Sequence, residues 1–435
     1  MIWIAAAVLI LVVALAFGMS LLAYAMYALL AVILISRYVT RRWAGDLAAT
    51  REASRLSASV GDTVAVVVTV ENQGKLPVAW VLLEDLLPRD AIMYDPPSLK
   101  VTGRRVQLSM LAPRAKKQLL YQLTCNRRGY FQLGPVVLET GDLFGLHRRF
   151  RVAAEPHFLM VLPKVIPLAG YELSSKRPIG EVRMSYRLYE DPTRIAGVRA
   201  YQRGDALNRI HWRATARTGE LHSKIYEPST VAGATILLDF HRDSHPQRDE
   251  PYRSELAITA AASIANAVYL MDQQVGLMTN GRDAADRIRL EGWAHDYRSR
   301  DAAKQAAEMQ SKSDRLRPLV VPTRRGPAQF IAILETLARM ELTDGLSLPQ
   351  LIEETAPRMP RDATVVAILA LGDETSAIAL SNLRRRGFAV TVVLNLFDSY
   401  EYSRIAGYFQ AEGLETRQLK NEDSIVDICR QYALR

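Results

Sequence analysis

Residues 1–36 carry no charged side chain, and Arg37, Arg41 and Arg42 follow at once. One straight helix of that length would run about 54 Å, well beyond a bilayer core of about 30 Å. Gly18-Met19-Ser20 interrupts the run near its middle. The pattern therefore predicts two short helices, about Ile2–Phe17 and Leu21–Ser36, turned into a transmembrane hairpin. A re-entrant hairpin or a single tilted span are the alternatives. A cleaved signal peptide fits less well: no basic residue precedes the apolar run, which continues past Ala14-Leu15-Ala16. The arginines that follow place the later chain on the cytoplasmic side by the positive-inside rule. Residues 37–55 read as a juxtamembrane linker.

From about 56 to 165 apolar and polar residues alternate with period two. Val64–Val70, Val78–Leu83, Val106–Leu111 and Gln118–Thr124 read as strands, as do Gly129–Leu133, Val136–Thr140 and Phe158–Leu162. Turns such as Glu71-Asn72-Gln73-Gly74 separate them, and no long helical pattern intervenes. These features predict an antiparallel β-sandwich.

After about 231 the grammar changes. Ala234–Leu238, Val275–Thr279, Ala363–Leu371 and Ala389–Leu394 are short apolar strands. Glu255–Tyr269, Pro327–Arg339 and Thr375–Arg386 carry helical spacing. Strands alternating with helices predict a Rossmann-like α/β domain over 231–435, its parallel sheet covered on both faces. The polar stretch 282–325 reads as a partly helical insertion. The chain is thus multidomain.

Between the two folded parts, 166–230 forms an arginine-rich connector. The formal charge is +9, and residues 176–217 hold ten Lys/Arg against four acids. An acidic protein surface, anionic lipid or nucleic acid would complement such a patch, and a solvated face is the alternative. Within it, Asp205 is placed to cap a helix from Ala206 to about Arg217, ended by Gly219, with a strand after Leu221. Arg209, Arg213 and Arg217 recur four apart on that helix. They could meet phosphates or carboxylates. The structural alternative, which the sequence favours, has them pairing with neighbouring acids while Trp212 packs as a core anchor. Nucleic acid is disfavoured, since no binding motif accompanies the arginines.

Only Cys125 and Cys429 occur, with no CxxC and no zinc-type cluster. No Walker A, GxSxG or HExxH sequence is present, so no catalytic residue is assigned.

Three blocks carry a family resemblance. The first is Cys125-Asn126-Arg127-Arg128-Gly129-Tyr130-Phe131-Gln132-Leu133-Gly134-Pro135, continuing to Gly141-Asp142-Leu143-Phe144-Gly145-Leu146. The second holds Tyr201, Gly204-Asp205, Ile210, Trp212, Ala216-Arg217, Leu221 and Lys224. The third is the apolar strand ending at Asp239. Together they resemble the bacterial family known as domain of unknown function fifty-eight, with its von Willebrand factor A-like domain. The resemblance implies a cell-membrane protein associated with a MoxR-type AAA+ ATPase and a transglutaminase-like membrane protein. It implies interaction residues at Tyr201, Gly204, Asp205, Arg209, Trp212, Arg213, Arg217 and Lys224, but no established activity.

It also raises the question of Mg²⁺. The adhesion site of such domains uses Asp-x-Ser-x-Ser, a later Thr and a later Asp. Here Asp239-Phe240-His241-Arg242-Asp243 replaces both serines and adds a cation. The threonine loop aligns with Arg325-Gly326-Pro327-Ala328, which has no hydroxyl, and Asp373 could supply the last carboxylate. Asp239, Asp243 and Asp373 are the degenerate metal candidates, with capping of loops as the alternative role. No cofactor is expected; Mg²⁺ is possible but disfavoured. Two functions follow: a membrane-anchored scaffold or adaptor, or a metal-dependent hydrolase or ligand-binding enzyme acting at the carboxyl edge of the α/β sheet.

Overall fold

The computed structural model describes residues 2–93, 95–167, 189–202, 210–229, 233–286, 316–361 and 363–433. They fall into two units. Of the described residues, the first unit holds 2–93, 95–164, 283–286 and 337–340; the second holds 165–167, 189–202, 210–229, 233–282, 316–336, 341–361 and 363–433.

The first unit opens with two packed apolar helices, α1 (Ile2–Ala16) and α2 (Ser20–Asp46). The turn between them needs Gly18, whose φ is +63°. Of the two, α2 alone is long and apolar enough to cross a membrane. It does not stop at Ser36. It continues through the arginines, so 37–55 is no linker: its first part is helix and Leu47–Ala53 is β1.

The remaining strands of this unit are β2 (Ser57–Ser59), β3 (Thr63–Asn72), β4 (Val78–Asp85), β5 (Leu99–Gly103) and β6 (Val106–Leu111). After them come β7 (Lys116–Cys125), β8 (Gly129–Leu133), β9 (Val136–Gly141), β10 (Arg148–Ala154) and β11 (His157–Leu162). A one-turn helix, α3 (Arg89–Met93), precedes β5. Two four-stranded sheets form, ordered β1-β3-β7-β5 and β10-β9-β4-β6, and every pairing within them is antiparallel. Period two is visible in β3, where Val64, Val66, Val68 and Val70 are buried and alternate residues are not. These valines share one apolar core with Val81 and Leu83 of β4, Leu119 and Leu123 of β7 and Leu138 of β9. A third sheet orders β2-β11-β8.

In the second unit, β12 (Tyr189–Ala200) and β13 (His222–Ser229) make an antiparallel pair flanking a short helix, α4 (Trp212–Thr218). Along the chain the α/β elements are β14 (Gly233–Leu238), α5 (Tyr252–Leu270), β15 (Gln274–Thr279), β16 (Arg282–Asp283), β17 (Leu319–Arg324) and α6 (Pro327–Arg339), of which Asp283 and 337–339 are counted with the first unit. Then come β18 (Met340–Glu341), α7 (Leu348–Thr355), β19 (Thr364–Leu369), α8 (Glu374–Arg385), β20 (Val390–Leu394), α9 (Ser399–Ala411), β21 (Glu415–Gln418) and α10 (Glu422–Ala433). The sheet order is β17-β15-β14-β19-β20-β21. All its pairings are parallel except β15 with β17. So 282–325 is not wholly an insertion: its last part supplies an edge strand, while 287–315 lies outside the described residues. The alanine-rich α5 is buried around most of its circumference, which small side chains permit against a sheet.

Candidate functional site at the carboxyl edge of the parallel sheet

β14 lies between β15 and β19. The chain leaves β14 to build one side of the sheet and later returns to build the other. In such sheets the crevice outside the carboxyl ends of the strands, at this reversal, is the usual ligand position.

Asp239 stands there. It is buried, and its N–H donates to the Ile368 carbonyl at 3.0 Å. Asn280, just past β15, donates Nδ2–H to Asp239 Oδ1 at 2.7 Å and to the Leu346 carbonyl at 2.8 Å. Its Oδ1 accepts from the Phe240 N–H at 2.6 Å. One buried amide thus joins the ends of β14 and β15 to the loop before α7. Thr343 closes the same corner, exchanging backbone bonds with Phe240 and Arg242 while its Oγ1 accepts from Gly345 N–H at 3.1 Å.

Arg253, in the first turn of α5, is buried too. Its Nη2 donates to Asp249 Oδ2 at 2.6 Å, its Nη1 to the Ala370 carbonyl at 3.2 Å, and its guanidinium lies 4.9 Å from the Phe397 ring centre. Asn395, after β20, donates to the Arg253 carbonyl at 2.7 Å. His245 turns Nδ1 toward the His241 carbonyl at 3.0 Å, so in the neutral ring Nε2 is left as an acceptor. That Nε2 and Asn395 Oδ1 are buried without a hydrogen-bond partner among the described residues. Neither Asn280 nor Arg253 stood out in the sequence. The polar Thr279-Asn280-Gly281 closing an apolar strand, and a charge in an alanine helix, were the available signals.

The other predicted carboxylates do different work. Asp373 caps α8, accepting from Ser376 N–H at 2.9 Å, Ser376 Oγ at 2.5 Å and Thr375 Oγ1 at 2.7 Å. Burial pushes its pKa up, but the Ser376 and Thr375 hydroxyls and the Ser376 N–H outweigh that and hold it below the usual range. Asp243 is 91% exposed and 3.8 Å from His241 Nδ1. Among the described residues no three His, Cys, Asp or Glu side chains converge on a common metal position. The threonine loop is also misassigned by the sequence. Because β17 runs antiparallel to β15, Arg324 pairs with Val275 at the amino edge, so 325–328 lies across the sheet from Asp239. The hydroxyl beside Asp239's strand end belongs to Thr343, which bridges His241. These donors do not fit the expected Mg²⁺ set.

The connector differs from its expectation as well. Gly204, Asp205 and Arg209 lie within 203–209, outside the described residues. The described helix starts at Trp212, and its cap is His211, whose Nδ1 accepts from Ala214 N–H at 3.0 Å. Gly219 ends it as predicted, at φ +78°. Trp212 is 68% exposed, so it is no core anchor. Arg213 and Arg217 are exposed beside it and make no ion pair among the described residues. Tyr201 N–H donates to the Leu221 carbonyl at 2.8 Å, and Lys224 sits opposite Val198 across the strand pair.

Comparison with known proteins adds the following. An uncharacterised protein of Bacillus subtilis, YeaD, is 25% identical over 239 residues, which are 54% of this chain and 56% of that protein. The chain thus spans about half the length of that relative. Among solved structures, the CARDB domain of a Pyrococcus furiosus protein is 14% identical, covering 27% of this chain and 92% of its own, with a TM-score of 0.20. The VWA domain of SpRpn10 is 13% identical, covering 47% and 96%, with a TM-score of 0.28. Residues 197–295, from β12 past Asp239 and Asn280, match the model of the family described as Protein of unknown function DUF58.

Proposed function

We propose that the protein is a membrane-anchored scaffold or adaptor: a helical hairpin, a β-sandwich and a von Willebrand factor A-like domain, working through protein–protein contacts. The observation that carries this reading is the exposure of Trp212 beside Arg213 and Arg217, inside the segment that matches the family model. Tryptophan and arginine together are the side chains that most often dominate binding energy at interfaces. A MoxR-type AAA+ ATPase is the partner the family resemblance implies, with a transglutaminase-like membrane protein as a second. The work would be assembly, maturation or envelope stress. The exposed Arg37, Arg41 and Arg42 argue for a cytoplasmic body. No catalytic role and no cofactor are assigned.

A second reading, a ligand-binding or hydrolytic site at the carboxyl edge, is favoured by the unpartnered His245 Nε2 and Asn395 Oδ1.

The test uses the full-length protein in detergent, immobilised and exposed to a purified MoxR-type ATPase from the same cell. Retention that falls about tenfold in Trp212→Ala and Arg213→Ala supports the adaptor. Equal retention by wild type and both variants, or none by any of them, refutes it. Turnover lost on His245→Ala with ATPase capture absent would favour the second reading.

A further inference from the structure

The block Gly141–Leu146 takes no part in the site described above, yet it holds an exposed apolar cluster. Leu143, Phe144 and Leu146 are 76%, 71% and 50% exposed. They form the turn between β9 and β10, closed on one carboxylate: Asp142 accepts from Leu146 N–H at 3.2 Å and from His147 N–H at 2.9 Å. Gly145 holds φ +73°, a conformation that disfavours any side chain there.

Two ties set this turn against α2. At one end Arg151 of β10 donates to the carbonyls of Gly45 at 2.9 Å and Leu47 at 3.1 Å. At the other, Ser36 Oγ donates to Asp142 Oδ2 at 2.5 Å, with both residues buried. From Gly45 back to Ser36 is about 13 Å along a helix axis. The β9–β10 hairpin runs in the same direction over the same span. Its tip, residues 143–146, therefore reaches the level of Ser36 and points along the apolar half of α2. Ser36 is also where the helix changes character. Leu34 and Ile35 are exposed on one side of it, and Arg37, Arg41 and Arg42 follow on the other. Exposed Arg148 and Arg149 flank the tip in the same way.

We infer that Leu143, Phe144 and Leu146 insert into the lipid bilayer as a second membrane contact, level with the end of the apolar half of α2. The occupant is lipid because the cluster continues the apolar surface of the hairpin, and the arginines on both elements match the height of anionic headgroups. Exposed apolar side chains at such a boundary gain by entering the acyl region, while flanking cations stay with phosphate. This inference rests on the membrane-anchored reading, since it takes its depth from α2.

Full-length protein carrying Cys429→Ser, with Cys125 buried, would be reconstituted in phosphatidylcholine–phosphatidylglycerol vesicles and labelled with NBD at Phe144→Cys or, separately, Leu29→Cys. A blue-shifted emission at position 144, quenched by doxyl groups high on the acyl chain and shielded from aqueous iodide, is expected. Position 29 should be quenched by lipid as well. Lipid quenching at 29 with free iodide access at 144 would overturn the inference while leaving the anchor intact, and would assign the tip to a protein partner or to water. Iodide access at both positions would overturn the anchor and the inference together. The Phe144→Asp variant supplies a check through the fold: it should keep the thermal transition of the wild type in detergent and lose the lipid-dependent part of that stability in vesicles. An unchanged transition in both media would contradict the inference.

Discussion

Arg51 and Asp85 form a buried, two-pronged ion pair in the first unit, Nη2 to Oδ1 at 2.5 Å and Nε to Oδ2 at 2.9 Å. Tyr121 donates its hydroxyl to the same carboxylate at 2.7 Å, and Arg51 Nη1 donates to the carbonyls of Leu133 and Glu155. The pair links β1 to β4, and Tyr121 brings in β7, so it joins the two sheets across their shared core. Burial and the neighbouring Asp85 charge push the tyrosine hydroxyl far above its ordinary pKa, which keeps it a donor. Removing one partner strands the other charge. Asp85→Ala should therefore destabilise by about 3–5 kcal/mol. Denaturant unfolding of the full-length protein in detergent checks this, and a loss under 1 kcal/mol would contradict it.

The tie between Ser36 and Asp142 makes a pH-dependent prediction. Burial pushes the Asp142 pKa up, but the Ser36 hydroxyl and the His147 and Leu146 N–H groups outweigh it and hold the group below the usual range. A depressed folded-state pKa stabilises fully above the unfolded value of about 3.9, and that stabilisation is lost as pH falls through the folded value. Ser36→Ala removes a hydrogen bond to a charged acceptor and should cost about 1.5–3 kcal/mol at pH 7. Its effect should shrink below the folded pKa. Melting curves of wild type and variant between pH 2 and 7 test the convergence; a gap that widens on acidification would refute it.

Trp212 offers a separation of roles. An exposed ring contributes little to folding, and surface substitutions away from special features fall within about 0.5 kcal/mol. Trp212→Ala should melt with the wild type. A loss of several kcal/mol would return the residue to a structural role and weaken the interface reading.

At the carboxyl edge, millimolar Mg²⁺ should leave the melting temperature unchanged. A ligand specific to the folded state at 100 times its Kd would add about 2.7 kcal/mol. A rise of several degrees over EDTA that disappears in Asp239→Ala would overturn the assignment. Asp373→Ala should instead cost about 1 kcal/mol with or without Mg²⁺, as expected for a lost helix cap.

The order of apolar helices, alternating strands and α/β elements was legible in the sequence, because each rests on a local pattern. Val64 to Val70 alternate, Gly18 breaks an uncharged run, and Gly219 stops a helix whatever packs on it. Other features were decided only by tertiary structure. Ser36 and Asp142 are 106 residues apart, and Arg51 and Asp85 are 34 apart, so no local period could pair them. The extension of α2 to Asp46 depends on packing of Thr40 and Trp43 against the first unit, which overrides the change from apolar to charged residues at Arg37. The direction of β17 moved 325–328 to the far edge of the sheet and put Thr343 beside Asp239's strand, since a strand's residues carry no mark of parallel or antiparallel pairing. Trp212 shows the same limit: helical spacing names a face, but only the surrounding chain determines whether that face is covered.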